Sequence, residues 1–426
     1  MPGELARRLG TADAVVVGLS AMIGAGVFAA FAPAAGAAGQ WLLAALAIAA
    51  VVAYCNATSS ARLAALYPES GGTYVYGRRR LGPLWGYLAG WGFTVGKTAS
   101  CAAMALTFGA YAAPSLARPL AVAAVVALTA LNLLGVQRSA GAARVIVAFV
   151  LAVLAAVIVA GLTGGTAGPY GWFAHGPLPE PLLYDLTKAS GAGVWGVLQG
   201  AGLLFFAFAG YARIATLGEE VRDPSRTIPR AVGIALAITL VVYTLVAVAA
   251  LRVLGPVRLA LAEAPLADVV RGAGAGWLAP AVGVGAAVAA LGALLALLLG
   301  VSRTVLAMAR ERDLPGVLAV VDPVRQVPRR AELAVGVAAV ALLLVADLRG
   351  AIGFSSFGVL VYYAIANACA LTLSREEGAP PRAVPALGLA LCLLLAATLP
   401  LTSVLWGLAV FAAGLALWAV RHRRPR

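Results

Sequence analysis

The sequence has few charged side chains, because only 11% of its 426 residues are Asp, Glu, Lys or Arg, whereas soluble proteins carry about 25%. Hydrophobic residues make up 62% of the chain. This shortage of charge excludes an ordinary soluble domain and predicts a protein embedded in a lipid bilayer. The formal net charge of +14 does not indicate nucleic-acid binding, since the arginines cluster at the ends of apolar runs, as topogenic charges do.

Cysteine and histidine are also scarce, with four and two copies. The cysteines lie inside apolar runs without metal-ligand spacing, which indicates small buried hydrophobic side chains; they are Cys55, Cys101, Cys369 and Cys392. His175 and His422 lie in a loop and in the C-terminal tail, which argues against histidine catalysis or metal binding. The chain also lacks a Walker-type phosphate loop. We therefore expect no cofactor, no bound metal, no enzymatic activity and no ATP-driven transport.

Apolar runs long enough to cross a membrane recur along the whole chain. They predict an all-α polytopic membrane protein with twelve spans, at residues 13–36, 39–66, 84–113, 118–135, 143–163, 192–217, 229–254, 278–306, 332–347, 350–373, 384–400 and 402–420. With the N-terminus in the cytoplasm, most of the 31 Lys and Arg residues fall on the cytoplasmic side, as the positive-inside rule requires. The even number of spans then predicts that both termini are cytoplasmic, and we expect the plasma (inner) membrane.

Glycine interrupts the first span. Residues 15–28 are apolar, yet Gly24 and Gly26 lie in this run, and each Gly costs a helix about 1 kcal/mol relative to Ala. A broken backbone survives in hydrocarbon only where it lines a cavity or is buried in protein, so the break indicates a binding site at mid-membrane depth. Close helix packing is the alternative interpretation. The sixth span has a similar break at residues 205–211, and the odd offset of five spans predicts two oppositely oriented halves.

Four stretches carry a family resemblance. They are the Ile-Gly-Ala-Gly-Val-Phe of residues 23–28, the Tyr-Pro-Glu-Ser-Gly-Gly-Thr-Tyr of residues 67–74, the aromatic, Gly-broken and then charged segment 205–230, and residues 302–315 at the end of the eighth span. Together they resemble the amino-acid permeases of the amino acid–polyamine–organocation (APC) superfamily. The resemblance implies one transporter domain over residues 1–426 with a LeuT-type fold. Its spans 1–5 (residues 13–163) and 6–10 (residues 192–373) would form inverted repeats, and residues 384–420 would form two accessory spans.

The resemblance also implies where an amino acid binds. Unpaired N–H groups and the positive helix end near the first break suit a carboxylate, while carbonyls near Phe206 and Ala209 suit an ammonium group. The implied substrate-binding residues are Ile23, Gly24, Ala25, Gly26, Phe205, Phe206, Phe208, Ala209 and Gly210. Phe208 and Tyr211 are gate candidates, although each aromatic residue could equally be core. Glu219 and Glu220 are candidates for conformational ion pairs that break during transport, and plain solvated ion pairs are the alternative.

Lys97 is unusual because the sequence has two lysines and 29 arginines, and it lies in the middle of the third span. Ionisable residues at that depth are costly and generally functional, so Lys97 is a candidate for proton coupling. Some relatives carry a lysine in the fifth helix, where this chain has Val150, and the hypothesis is that Lys97 does a similar job. The alternative is that Lys97 snorkels or pairs with a backbone carbonyl and has no role in transport.

The sequence therefore predicts secondary transport of an amino acid across the bilayer by alternating access, as proton-coupled uptake or exchange. A neutral substrate is favoured, because many relatives have an acid where this chain has Ala212, and because Lys97 disfavours a second cation. Sodium coupling is disfavoured, since residues 281–301 contain no Ser or Thr. Amino-acid export, or transport of a cationic amino acid or polyamine, is the nearest alternative. A non-transporting membrane sensor is a more distant one, and nothing in the sequence indicates an oligomeric state.

Overall fold

The computed structural model describes residues 9–67, 71–135, 140–165, 193–215, 221–322 and 327–423, together with Glu69 and Arg325. Glu219 and Glu220 lie outside these ranges. Within them the chain is helical and has no β-strand, and a single parallel bridge joins Leu9 to Val221. The all-α fold class predicted from the sequence is therefore confirmed.

Seventeen α-helices are present in the described part of the chain. In chain order they are α1 (Thr11–Met22), α2 (Ala25–Ala29), α3 (Phe31–Ala38), α4 (Leu42–Leu66), α5 (Thr73–Arg80), α6 (Pro83–Ala112), α7 (Ala117–Leu133), α8 (Ala140–Thr163), α9 (Val194–Phe208), α10 (Ala212–Ala215), α11 (Pro224–Leu261), α12 (Pro265–Gly272), α13 (Ala279–Arg310), α14 (Arg329–Val345), α15 (Leu348–Leu371), α16 (Ala383–Thr398) and α17 (Leu401–Arg423). Each predicted span coincides with one of these helices or with consecutive ones.

Nine segments of the described chain have the length and hydropathy needed to cross a membrane. They are Thr11–Ala29, Phe31–Leu66, Pro114–Leu133, Ala143–Thr163, Val194–Ile214, Pro224–Leu261, Gly276–Arg310, Leu348–Leu371 and Leu401–Arg421. The other three predicted spans are α6, α14 and α16. α6 has 30 residues, but its glycines, its hydroxyl side chains and Lys97 lower its hydropathy. α14 and α16 are shorter, with 17 and 16 residues.

α6 is the central helix of the structure, because it packs closely against both α13 and α15. Glycines make the α6–α15 contact possible. A Cβ atom added to Gly92 would lie 3.0 Å from the carbonyl oxygen of Gly358, and one added to Gly96 would lie 3.1 Å from that of Ser355. Small residues let helix backbones approach in this way within membranes. The close approach fixes Lys97, the next residue of α6, beside the centre of the bundle.

The two broken spans also meet through glycine. A Cβ atom on Gly26 would lie 2.6 Å from the Cα atom of Ala207, and one on Gly210 would collide with the carbonyl oxygen of Ala21. Neither glycine has a positive φ, so the close approach of the two chains, rather than an unusual backbone conformation, excludes a side chain here. The packing interpretation of these glycines therefore holds at both breaks, and it brings the breaks into contact.

This contact predicts that Gly26→Ala and Gly210→Ala each destabilise the fold. Overpacking of this kind costs about 1–3 kcal/mol, because the backbone of the neighbouring span cannot move aside as a flexible side chain could. The thermal unfolding midpoint of purified protein in detergent should fall for both variants. Gly233→Ala is the matched control, since a Cβ atom there has no neighbour within 4 Å. An unfolding midpoint for Gly210→Ala equal to that of the control would contradict the prediction.

Candidate functional site

The first break lies between α1 and α2. Ile23 and Gly24 have non-helical backbone angles, with ψ values of 42° and −144°, and α2 begins at Ala25. α2 continues into α3 through Ala30, whose N–H donates to the carbonyl of Gly26 at 2.9 Å. The first N–H groups of a helix have no partner within that helix. The start of α2 therefore leaves the N–H groups near Ala25 and Gly26 without partners inside that helix.

The second break is a tight turn rather than an extended segment. α9 ends at Phe208, a 3₁₀ turn covers Ala209–Tyr211, and α10 follows. The N–H of Ala209 donates to the carbonyl of Phe205, so helical bonding continues as far as Ala209. The carbonyl oxygen of Ala209, at this turn, meets a side chain from the third predicted span.

That side chain is Lys97. Its Nζ atom lies 3.4 Å from the carbonyl oxygen of Ala209, and the residue is only 7% exposed. No carboxylate of the described residues forms an ion pair with it. A backbone dipole is thus its polar partner within the described chain. Pairing with a carbonyl was the alternative to a transport role, but this carbonyl belongs to the second break, where the sequence placed the substrate's ammonium group.

Tyr243 joins the two breaks. Its hydroxyl, fully buried on α11, lies 2.6 Å from the carbonyl oxygen of Met22 and 3.1 Å from that of Ala207. One hydroxyl hydrogen can donate to either carbonyl, and each carbonyl comes from the end of a broken helix. Sequence analysis missed this residue, because one tyrosine in an apolar run gives no signal beyond ordinary packing.

The predicted aromatic residues surround the second break. Phe208 packs edge-to-face on Tyr243 with ring centres 5.1 Å apart, and Phe205 packs in the same way on Tyr363 at 5.7 Å. Tyr211 packs on Tyr363 as well, at 5.1 Å. These rings and that of Phe206 are all buried. The ring contacts thus form two groups, Phe208 with Tyr243 and Tyr363 with Phe205 and Tyr211, an arrangement expected both of a core and of a side-chain pocket.

A cavity of about 280 Å³ lies elsewhere, on the predicted extracellular side. Its lining includes Pro33, Gln199, Arg349 and Ser403, and none of its lining residues belongs to either break. The two breaks, in contrast, are packed tightly against each other.

Hydrogen bonds also join helices on the side of the bundle that the sequence predicts to be extracellular. The Tyr111 hydroxyl donates to the carbonyl of Phe28 at 3.0 Å and accepts the N–H of Leu266 at 3.1 Å. It thereby ties α6 to α2 and to the short helix α12. Arg349 donates to the carbonyl of Ala260, which ties the start of α15 to the end of α11.

Ion pairs join segments on the side of the bundle that the sequence predicts to be cytoplasmic. Arg78 on α5 donates to Asp313 at 2.8 Å and to Glu311 at 3.1 Å. The Tyr74 hydroxyl donates to Asp313 at 2.7 Å, and burial together with the Asp313 carboxylate raises the pKa of Tyr74, so this hydroxyl stays protonated. Tyr74 and Asp313 belong to two stretches that carried the family resemblance, residues 67–74 and 302–315. The sequence did not indicate that these two stretches contact each other.

A second cytoplasmic pair involves Arg80 and Glu377. Hydrogen bonds from Arg80 and from the N–H of Ser374 hold the pKa of Glu377 below its usual range. A carboxyl group whose pKa is lower in the folded than in the unfolded protein stabilises the fold at pH values above its unfolded pKa. That stabilisation is lost as the pH falls through the pKa of the folded protein. This contact therefore weakens in acid.

The Tyr243 contacts predict that Tyr243→Phe lowers stability while keeping the ring packing on Phe208. A buried carbonyl left without a donor costs about 1–3 kcal/mol, and the two broken helices lose their shared hydroxyl. The thermal unfolding midpoint in detergent should fall. Tyr54→Phe is the control, because Tyr54 is 57% exposed. If the two variants unfold at the same temperature, the hydroxyl does not hold the breaks together.

Comparisons with known proteins agree with this geometry. The amino acid permease family model matches residues 9–421. An uncharacterized transporter of Mycobacterium tuberculosis is 65% identical over the whole chain and 94% of its own length. The branched-chain amino acid permease BcaP of Bacillus subtilis is 24% identical over 99% of this chain and 94% of its own length. The vacuolar cationic amino acid transporter 4 of Arabidopsis thaliana is 28% identical over 90% of this chain and 65% of its own length.

These relatives are named transporters and permeases, and none of those names is that of an enzyme. The family match covers both broken spans and nearly all the rest of the chain. The expected resemblance and the LeuT-type helical fold are therefore confirmed. The protein is a multi-pass membrane transporter of amino acids, and its chain belongs to the amino acid permease family of the APC superfamily.

Proposed function

We propose that this transporter moves a neutral amino acid across the plasma membrane by alternating access and couples that movement to protons through Lys97. The contact between the Lys97 Nζ atom and the carbonyl of Ala209 is the observation that carries the proposal. It joins an ionisable side chain to the second break, the place where the substrate's ammonium group would be held. Both termini would lie in the cytoplasm.

The two ends of an amino acid would bind at different breaks. Its carboxylate would accept hydrogen bonds from backbone N–H groups at the first break, because helix N-termini favour anions. The implied residues there are Ile23, Gly24, Ala25 and Gly26. Its ammonium group would donate to carbonyls at the second break. The implied residues there are Phe205, Phe206, Phe208, Ala209 and Gly210. The buried rings around the second break would enclose an apolar side chain.

Lys97 and the substrate then compete for one acceptor. The protonated amine of Lys97 donates a charge-assisted hydrogen bond to the Ala209 carbonyl, and such bonds are stronger than neutral ones. A substrate ammonium group that takes this carbonyl must displace the lysine. Displacement is easier when Lys97 is neutral, because its bond is then weaker. Binding of a proton and binding of substrate therefore oppose each other, which favours exchange over uptake together with a proton.

A neutral substrate is supported by the absence of a carboxylate near the break among the residues that the structure describes. Ala212 follows Tyr211 where an acid would hold a cationic side chain, and Lys97 would repel one. The name of the branched-chain permease of Bacillus subtilis agrees with this choice. The name of the Arabidopsis cationic amino acid transporter favours the second candidate, a cationic amino acid or polyamine. In an exchange, protons that enter the cell move an amino acid out of it. The proposed exchange therefore also agrees with export as the direction of transport.

Alternating access would require the contacts on each side to open in turn. We propose that residues 13–163 and 192–373 form the inverted repeats, with 384–420 as accessory spans. Phe208 and Tyr211 would gate the pocket, since both are packed at the second break. Glu219 and Glu220 would exchange ion-pair partners on the cytoplasmic side.

Proteoliposomes test the function directly. Purified protein would be reconstituted with a pH indicator in the lumen and supplied in turn with labelled neutral and cationic amino acids. The vesicles would start without a pH gradient, and sodium would be varied separately. We expect a neutral amino acid to enter and the lumen to become alkaline, which is the sign of exchange. Acidification would indicate uptake with a proton instead. Entry without any pH change, or entry that requires sodium, would contradict proton coupling, and absence of all flux would contradict the function.

The role of Lys97 predicts a specific pH dependence. The KM for substrate should fall as the pH rises, by at most about tenfold per pH unit, because one proton competes with one substrate. In Lys97→Met the KM should no longer depend on pH, and substrate entry should no longer move protons. Thr107→Val is the matched control, since Thr107 is a buried residue of the same helix whose hydroxyl bonds only to its own helix, at Ala103. A normal pH profile in Lys97→Met would remove Lys97 from the mechanism.

A further inference from the structure

A second ionisable residue is buried within the bundle, at the cytoplasmic end of α14. Glu332 has no exposed surface, and its Oε1 atom accepts a hydrogen bond from the Nδ2 atom of Asn132 at 2.6 Å. Asn132, at the end of α7, is also buried. Ser302 on α13 lies beside the same carboxyl group. Three helices therefore enclose this acid, and the transport mechanism proposed above does not use it.

The cluster has more acceptors than donors. Within the described chain, the second carboxyl oxygen of Glu332, Oε2, has no hydrogen-bond partner, and neither has the Oδ1 atom of Asn132. The Ser302 hydroxyl lies beside the Glu332 carboxyl group and 3.1 Å from the carbonyl oxygen of Leu299, so its single hydrogen can serve only one of these two acceptors at a time. A carboxylate can only accept hydrogen bonds, whereas a carboxylic acid has one hydrogen to donate. A proton on Glu332 is thus the donor that the cluster needs.

The surrounding charges do not neutralise an ionised Glu332. No ion pair of the described chain includes it. Arg303, the charged neighbour on α13, is exposed. On α14 itself, Arg329 pairs with Asp322 at 3.5 Å and Arg330 donates to the carbonyl of Val317. A buried charge without a partner is costly, so the neutral acid fits this site better than the carboxylate.

The remaining elements packed against α14 add few ionisable groups. The 3₁₀ turn at Gly316–Ala319 has none. α6 contributes Cys101, which lies within electrostatic range of both Glu332 and Lys97. Cys101 is also one helical turn from Lys97 along α6. The helix that carries Lys97 thus packs directly against the helix that carries Glu332.

We propose that Glu332 is a second proton-binding site, which exchanges protons with the cytoplasm and serves Lys97 during transport. The proposal rests on the proton coupling proposed above. A conformational change that opened the cytoplasmic ends of α7, α13 and α14 would admit water to Glu332 and allow its proton to leave. Closure of these helices would again favour the neutral acid.

Infrared spectroscopy tests the site without any need for transport. Purified protein would be titrated with base while the C=O stretching band of protonated carboxylic acids is recorded. We expect a band that disappears as the pH rises and that is missing in Glu332→Gln, whose side-chain oxygen can still accept from Asn132 but cannot take up a proton. Asp347→Asn is the control, since Asp347 is exposed. A band of equal size in Glu332→Gln and wild type would overturn the proposal.

Transport gives the second readout. Glu332→Gln should lose proton-driven accumulation by about tenfold, equivalent to about 1.4 kcal/mol, while exchange of labelled for unlabelled substrate continues near the wild-type rate. Unchanged accumulation with a wild-type pH profile would show that Glu332 is only structural. If wild-type protein itself moves no protons, the coupling proposed above fails, and the infrared result still decides whether Glu332 binds a proton.

Ser302→Ala provides a variant that keeps the carboxyl group in place, in case Glu332→Gln does not fold. It removes a hydroxyl that can donate to the ionised carboxylate, so the ionised form is stabilised less. The carboxylic acid band should therefore disappear at a higher pH than in wild type. An unchanged titration in Ser302→Ala would contradict the predicted hydrogen bond.

Discussion

The structure depends on how a membrane protein satisfies backbone groups where a helix is broken. Hydrocarbon offers no hydrogen bonds, so these groups must find partners inside the protein. Here the two breaks lie against each other, and side chains from two other helices meet their carbonyls. The Tyr243 hydroxyl lies within hydrogen-bond distance of the carbonyls of Met22 and Ala207. The Lys97 amine lies within hydrogen-bond distance of the carbonyl of Ala209. The glycines permit this contact, because any larger residue at Gly26 or Gly210 would separate the two chains.

The same constraint explains how a binding site can be both stable and available. If the carbonyls at a break had no hydrogen-bond partners, the fold would be destabilised. If rigid neighbours supplied all the partners, a substrate could not take their place. The Lys97 side chain is long and flexible, and its 3.4 Å contact with Ala209 is longer than the most favourable N–H···O distances. Substrate binding at this carbonyl would then replace one ammonium group by another. A replacement of that kind costs little in either direction, as a reversible carrier requires.

Sequence analysis predicted the helices and both breaks because hydrophobic runs and glycine act locally. It also identified Lys97, since a lysine at mid-span is conspicuous among 29 arginines. It did not predict that Lys97 meets Ala209, because that contact depends on how α6 packs against the second break. Tyr243 and Glu332 were missed for related reasons. A tyrosine in an apolar run resembles core, and an acid at the end of a span resembles a surface residue until the fold shows that three helices enclose it.

The charged groups of the bundle differ in the kind of partner they have, and this difference agrees with the roles proposed for them. Just beyond the end of α13, Arg78 and Asp313 form an ion pair, which can separate once water reaches it. Lys97 and Glu332, which are buried, have dipoles as partners within the described chain rather than ions. A charged lysine in the middle of a membrane helix costs about 2.5–3.5 kcal/mol, and a buried carboxylate without a charged partner is costly as well. Transfer of one proton from a charged Lys97 to a charged Glu332 neutralises both groups at once. Proton movement between the two sites would therefore lower the cost of the closed state that separates the two open ones.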